Sequence, residues 1–157
     1  MGTRSNIAYI DDDRFKGRRA VVCYCHFDGY LDNNGRILLE HYNNKDKAVE
    51  LVDSGYITTL ADTLEKCTRV NDNEPKVYRT ESSLMYHIDP LYIEFIYLWK
   101  DEQWWVAYSR TIDTNDHPSY DRAYEPCIHY HTDFKPLEKE LENWYEDNPQ
   151  RNEVQIL

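Results

Sequence analysis

Residues 91–110 constrain the fold more tightly than any other stretch. Leu91-Tyr92-Ile93-Glu94-Phe95-Ile96-Tyr97-Leu98-Trp99 runs into the polar link Lys100-Asp101-Glu102-Gln103, and Trp104-Trp105-Val106-Ala107-Tyr108-Ser109-Arg110 follows. Two aromatic and β-branched runs joined by a short polar link predict a hairpin. Their near-continuous apolarity makes both strands central, with helices on at least one face. Trp99, Trp104 and Trp105 are therefore expected in the core or in cross-strand pairs, not on a ligand-stacking platform.

A second hairpin is expected nearer the N-terminus. Residues 6–10 and 20–24 are β-rich, and Asp11-Asp12-Asp13-Arg14-Phe15-Lys16-Gly17 between them reads as a turn. A turn centred near residues 14 and 15 sets Arg4 and Ser5 opposite Cys25 and His26. Helices are predicted over residues 34–42, capped by Asn33 or Asn34, and over 45–55, where Gly55 suits a left-handed C-terminal cap. Two more are predicted over 60–67, where a strand is the alternative, and, opened by Pro136, over 137–146. Residues 69–81 read as a loop with a short strand at 76–79, and residues 112–126 as a loop. The expected fold class is α+β: a single domain over residues 1–148, with a mainly antiparallel sheet of two β-hairpins packed against three to four helices. Residues 149–157 are expected to form a flexible tail.

Composition narrows the function classes. The 157 residues include 14 Tyr, 4 Trp and 4 Phe, enough large apolar surface for a folded body. A net charge of −11 repels phosphate backbones and anionic lipid, so direct nucleic-acid binding is disfavoured, while a basic protein patch suits such a surface. No apolar run approaches the roughly 20 residues that span a bilayer, and no signal-peptide core is visible; the expected location is cytoplasmic, with the four cysteines reduced.

Candidate chemistry gathers where the first hairpin ends. Tyr24-Cys25-His26-Phe27-Asp28-Gly29-Tyr30, followed by Leu31-Asp32-Asn33-Asn34-Gly35-Arg36, reads as strand, polar turn and helix start. With Arg4 and Ser5 folded alongside, the candidate ligand or partner residues are Arg4, Ser5, Tyr24, His26, Asp28, Gly29 and Arg36. His26 would act as acid-base group or phosphate donor, Asp28 would orient it, and Arg4 and Arg36 would clamp an anion. Gly29 is expected to satisfy a turn that needs positive φ. Cys127, His129 and His131 alternate along a short strand and are the only metal candidates, but paired zinc spacings are missing; no metal and no cofactor are expected.

Met1-Gly2-Thr3-Arg4-Ser5, the Tyr24–Tyr30 stretch, Gly35-Arg36-Ile37-Leu38-Leu39-Glu40-His41-Tyr42 and the hairpin through Leu98-Trp99 and Trp104-Trp105 resemble a family of small uncharacterised proteins of tailed phages and related prophages. The likeness covers most of the first 60 residues and the second hairpin, and Phe27 stands where that family typically has Trp. The resemblance implies a phage-borne accessory protein acting in the host cytoplasm, and it supplies no catalytic roles.

Two function classes follow. No nucleophile, base and orienting group stand out together, so binding is expected ahead of catalysis. The first reading is a protein that binds and inhibits or sequesters a host factor, such as a component of antiviral defence, through an acidic Tyr-rich surface. The alternative is a small-ligand site, for a nucleotide-like molecule or for hydrolysis, at the corner of His26, Asp28 and Arg4.

Overall fold

In the computed structural model, residues 3–13, 17–69, 74–113 and 127–149 are described. Strands β1 (Ser5–Asp13) and β2 (Gly17–Cys25) form the first hairpin. A π-helical turn, Leu31–Gly35, leads into α1 (Arg36–His41), and α2 (Lys45–Asp53) follows. After β3 (Lys76–Tyr78) and α3 (Glu81–His87) come β4 (Phe95–Lys100) and β5 (Gln103–Asp113), the second hairpin. Strands β6 (Cys127–His131) and β7 (Lys135–Pro136) precede the last helix, α4 (Leu137–Asp147).

The α+β class and both hairpins are as expected, and the first hairpin has the register predicted from its turn, with Ser5 paired to Cys25. The sheet is mixed. Its order is β3-β2-β1-β4-β5-β6, with β7 also on β5, and the hairpins meet through the parallel pair β1–β4, Ser5 opposite Phe95 and Tyr9 opposite Trp99. This join buries β1 and β4 in the middle of the sheet, as their apolarity requires.

Alternation then sorts side chains to two faces. One face carries Ile7, Val21, Cys23, Tyr97 and Trp104, and α1, α2 and α4 cover it with Leu38, Leu51 and Leu137, all three fully buried. Each such side chain contributes about 1.5–3 kcal/mol by leaving water. The other face carries Ala8, Ala20, Val22, Ile96 and Leu98 beneath Leu84 of α3 and Ile88 and Ile93 of the segment after it. Trp99 and Trp104 pack edge to face at 5.5 Å in the core, and Trp104 Nε1 donates to the Tyr42 carbonyl at 3.0 Å.

Several local expectations are corrected. Residues 60–67 are not a helix: Thr59 and Thr68 pair in an antiparallel bridge. Nine helical steps would hold those residues about 13 Å apart, so the bridge excludes a continuous helix. Cys67 turns inward there and its sulfur accepts from the Ala61 amide at 3.3 Å. Helix α3, unanticipated, is capped by Thr80, whose hydroxyl accepts from the Ser83 amide at 3.0 Å. Strand β4 begins at Phe95 and not at Leu91, because Asp89 holds a turn: its carboxylate accepts from the Leu91 amide at 2.9 Å, and its carbonyl accepts from the amides of Tyr92 and Ile93. Neither Asn33 nor Asn34 caps α1; both are drawn into the preceding turn. Gly55 does adopt positive φ, +88°, just past α2, and Asn44 caps that helix's start by accepting from the Lys47 amide at 2.9 Å. Residues 14–16 of the first turn, 114–126 of the expected loop and 150–157 of the expected tail lie outside the described residues.

Candidate functional site

The chain's beginning does lie against the first histidine. The Gly29 amide donates to the Thr3 carbonyl at 2.8 Å, and the Glu94 amide donates to the Arg4 carbonyl at 3.0 Å, so residues 3–5 are held between the corner and the head of β4. Asn34, fully buried, locks this junction by donating to Ser5 Oγ at 3.2 Å and Cys25 Sγ at 3.3 Å. The Tyr97 hydroxyl donates to the Gly29 carbonyl from beneath.

This packing divides the sequence candidates into scaffold and surface. Ser5 is fully buried and accepts from Asn34, so it faces no ligand. Gly29 belongs to the scaffold as well, and for a different reason from the one expected. Positive φ falls on Asp28, at +58°, while at Gly29 a Cβ would stand 2.7 Å from Ser5 Cβ and 2.8 Å from the Thr3 carbonyl oxygen. Glycine is required there by close approach of the two segments. Arg36 is engaged on its own segment, with Nε donating to the Asp32 carbonyl at 3.3 Å and a guanidinium nitrogen 3.1 Å from Glu40, so it contributes no anion clamp beside His26. Asp28 forms no ion pair with Arg4 or His26 among the described residues.

Arg4, Tyr24 and His26 do come together. The Tyr24 hydroxyl and His26 Nδ1 are hydrogen-bonded at 2.7 Å, and the Arg4 guanidinium lies 4.6 Å from the centre of the Tyr92 ring, which in turn stacks on Tyr24 at 6.3 Å. Burial is the main cause that pushes the Tyr24 phenol up, Tyr92 adds to it and Arg4 opposes it. Arg4 Nε is buried without a hydrogen-bond partner. His26 is half-buried against Phe27, with its ring engaged by a phenol where a carboxylate was expected.

The cluster borders a cleft of about 530 Å³ on the face that carries α3. Tyr24, Tyr56 and Tyr92 cluster in its lining, with Tyr24 and Tyr56 ring centres 5.2 Å apart; Tyr78, stacked on His87 at 5.7 Å, lines it as well. Asn6 lies in the lining, and Glu74, Lys76 and Asp89 are the charged groups around it. Sequence reading missed Asn6, Tyr56, Tyr78 and Tyr92 as site residues. Their one shared signal is the high tyrosine content, which does not say which tyrosines meet.

The remaining reactive groups are otherwise occupied. Cys23, Cys25 and Cys67 are free and buried; burial pushes the Cys25 thiol up to about 11 and the Cys23 thiol higher, which suppresses thiolate chemistry. His129 Nδ1 is hydrogen-bonded with Thr111 Oγ1 at 2.9 Å and His131 Nε2 with the Ile93 carbonyl at 2.7 Å, while the Cys127 side chain lies outside the described set. Among the described residues no three His, Cys, Asp or Glu side chains form a metal-binding group, and no helix is long and apolar enough to cross a membrane.

Comparison of the chain with protein-family models, curated proteins and solved structures gives no match. The structure itself defines the class: an α+β chain with a mixed sheet covered on both faces and a tyrosine-walled cleft beside its N-terminal corner.

Proposed function

We propose that this chain is a binding protein: a phage-borne accessory product, as its resemblance implies, that occupies a host factor in the cytoplasm and inhibits or sequesters it, with a component of antiviral defence as the suggested class of target. One observation carries the reading. Around the α3–β4 connection Tyr86, Leu91 and Tyr92 stand 84%, 68% and 52% exposed, large apolar side chains displayed where a folded chain has no need of them. Exposed tyrosine beside a concavity is the composition of an interface anchor, contributing large contact area at small cost in side-chain entropy. A net charge of −11 steers such a surface toward a basic partner.

Capture from host lysate with tagged protein tests the reading. The expected result is one stoichiometric partner, retained less as salt rises and lost on Tyr86→Ser with Leu91→Ser while the melting temperature stays constant. Reversal of Glu138, Glu142 and Glu146, exposed on α4, asks whether the partner docks there instead. A partner indifferent to the Tyr86 and Leu91 changes and released by the α4 reversal refutes the assigned face.

A second reading, a small-ligand site, is favoured by the cleft itself. Arg4 and His26 border the site through Tyr24 and Tyr92, so the polar corner and the tyrosine walls form one continuous surface.

A further inference from the structure

Asn6 is the least expected residue in the cleft. It sits on β1 between Tyr24 of β2 and Ile96 of β4, in the middle of the sheet, at a position where the same face otherwise shows Ala8, Val22 and Ile96. It is only 9% exposed, and among the described residues its carboxamide has no hydrogen-bond partner. Among the described residues the buried side-chain atoms without a partner are Arg4 Nε, Arg19 Nε and Thr58 Oγ1, so the Asn6 amide is instead reached by solvent from the cleft, where a ligand can take the place of that water. Asn6 lines the cleft, so its amide is available to a molecule bound there.

Resting on the small-ligand reading above, we infer that the cleft takes a neutral planar heterocycle with a hydrogen-bond donor beside an acceptor, the adenine-type edge of a purine nucleoside. A carboxamide presents one acceptor and two donors on adjacent atoms, and adenine answers it with an exocyclic amine beside a ring nitrogen, so both atoms of Asn6 are matched at once. Tyr24, Tyr56, Tyr78 and Tyr92 in the lining provide aromatic rings for a flat ligand, a form of contact that contributes about 1–3 kcal/mol per base. The volume of about 530 Å³ lies within the range that holds small ligands.

Other occupants satisfy the site less well. A partner's arginine carries only donors, so it would engage Asn6 Oδ1 and leave the Nδ2 hydrogens buried and unmatched. A phosphorylated ligand needs concentrated positive charge, whereas Glu74 and Asp89 stand with Lys76 in the lining, and Arg4 at the border is held against the Tyr92 ring. The sugar of a nucleoside is left to the polar rim, where His87 is exposed.

The test is a titration of adenosine, inosine and AMP into the full chain, followed by calorimetry and by the side-chain amide signal of Asn6 in NMR. Adenosine is expected to bind and to shift that signal. With the pairing on the amine/N7 edge, inosine offers two acceptors, O6 and N7, where adenosine has a donor and an acceptor, so it is expected to bind about tenfold or more weakly, the size of one mismatched bidentate pair. Asn6→Leu keeps the branched shape and removes the pairing, so it should weaken adenosine by a similar factor at unchanged melting temperature; Tyr56→Ala, at a half-buried position in the lining, should also weaken it by about tenfold. Should Asn6→Leu fail to fold, the inosine ratio and Tyr56→Ala decide. Absence of any shift with millimolar adenosine, equal affinity for adenosine and inosine, or AMP binding well above adenosine would each overturn the assignment. Host-protein capture is scored separately, so loss of this inference with the partner still bound leaves the docking reading in place.

Discussion

Gly29→Ala measures how tightly the N-terminal segment is clamped to the corner. The added methyl would lie 2.7 Å from Ser5 Cβ, 2.8 Å from the Thr3 carbonyl oxygen and 2.9 Å from Ser5 Oγ. Two of these neighbours have no freedom to retreat. Ser5 is paired on one side to Cys25 and on the other to Phe95, and the Thr3 carbonyl is already the acceptor of the Gly29 amide at 2.8 Å. Relief therefore requires the segments to part, which strains the core by about 1–3 kcal/mol and weakens a buried hydrogen bond contributing about 1 kcal/mol more. The expected loss is about 3 kcal/mol. At roughly 2–4 °C per kcal/mol for a chain of this length, the melting temperature should fall by about 6–12 °C. Gly17→Ala is the matched control: φ is +78° there and nothing lies within 4 Å of an added Cβ, so only backbone strain of about 1 kcal/mol applies. Urea unfolding of both variants reads the difference. If Gly29→Ala costs no more than Gly17→Ala, the close approach does not hold the corner and the account of Gly29 is refuted.

The other predictions concern separate elements. Asp101 and Glu102 carry the β4–β5 turn with φ of +50° and +63°, so Glu102→Gly should stabilise the chain by about 1 kcal/mol, seen as a rise in melting temperature. Tyr97→Phe removes the buried hydroxyl that donates to the Gly29 carbonyl and should cost about 1–3 kcal/mol in urea, with the fold unchanged by circular dichroism. Burial holds His131 below its ordinary pKa of about 6.5, although its bond with the Ile93 carbonyl acts the other way. The folded state therefore binds fewer protons than the unfolded one in this range. The His131 contribution is fully present above about pH 6.5 and is lost as pH falls below it. His131→Gln should flatten that acid decline in urea midpoint, and an unchanged slope would reject His131 as its source.

What could be read from the chain follows the range of the forces involved. The β4–β5 hairpin and α2 were legible because their signals are local: near-continuous aromatic and β-branched runs on either side of a short polar link, and Gly55 after the helix. The pairing of Ser5 with Cys25 was legible too, since a hairpin's turn sets its register. Residues 60–67 misled because Leu60, Leu64 and Cys67 have helical spacing, yet the bridge between Thr59 and Thr68 outweighs that propensity. Helix α3 escaped notice because Leu84 is its only buried residue, in an otherwise polar stretch. In the candidate site, Ser5, Gly29 and Arg36 are the right residue types for a ligand corner, but in the folded chain their atoms are engaged in holding it together.

By itself the sequence determined the two hairpins, the helix at α2, the helix at α4 and the acidic, tyrosine-rich character of the molecule, because periodicity, caps and charge act within a few residues. Only the tertiary structure decided that β1 and β4 pair in parallel and that Asn6, Tyr24, Tyr56, Tyr78 and Tyr92 share one cleft. Those residues lie on different segments, and their meeting depends on which sheet edges join and which helix covers each face. That is settled by burial summed over the whole core, a quantity no local window of the chain contains.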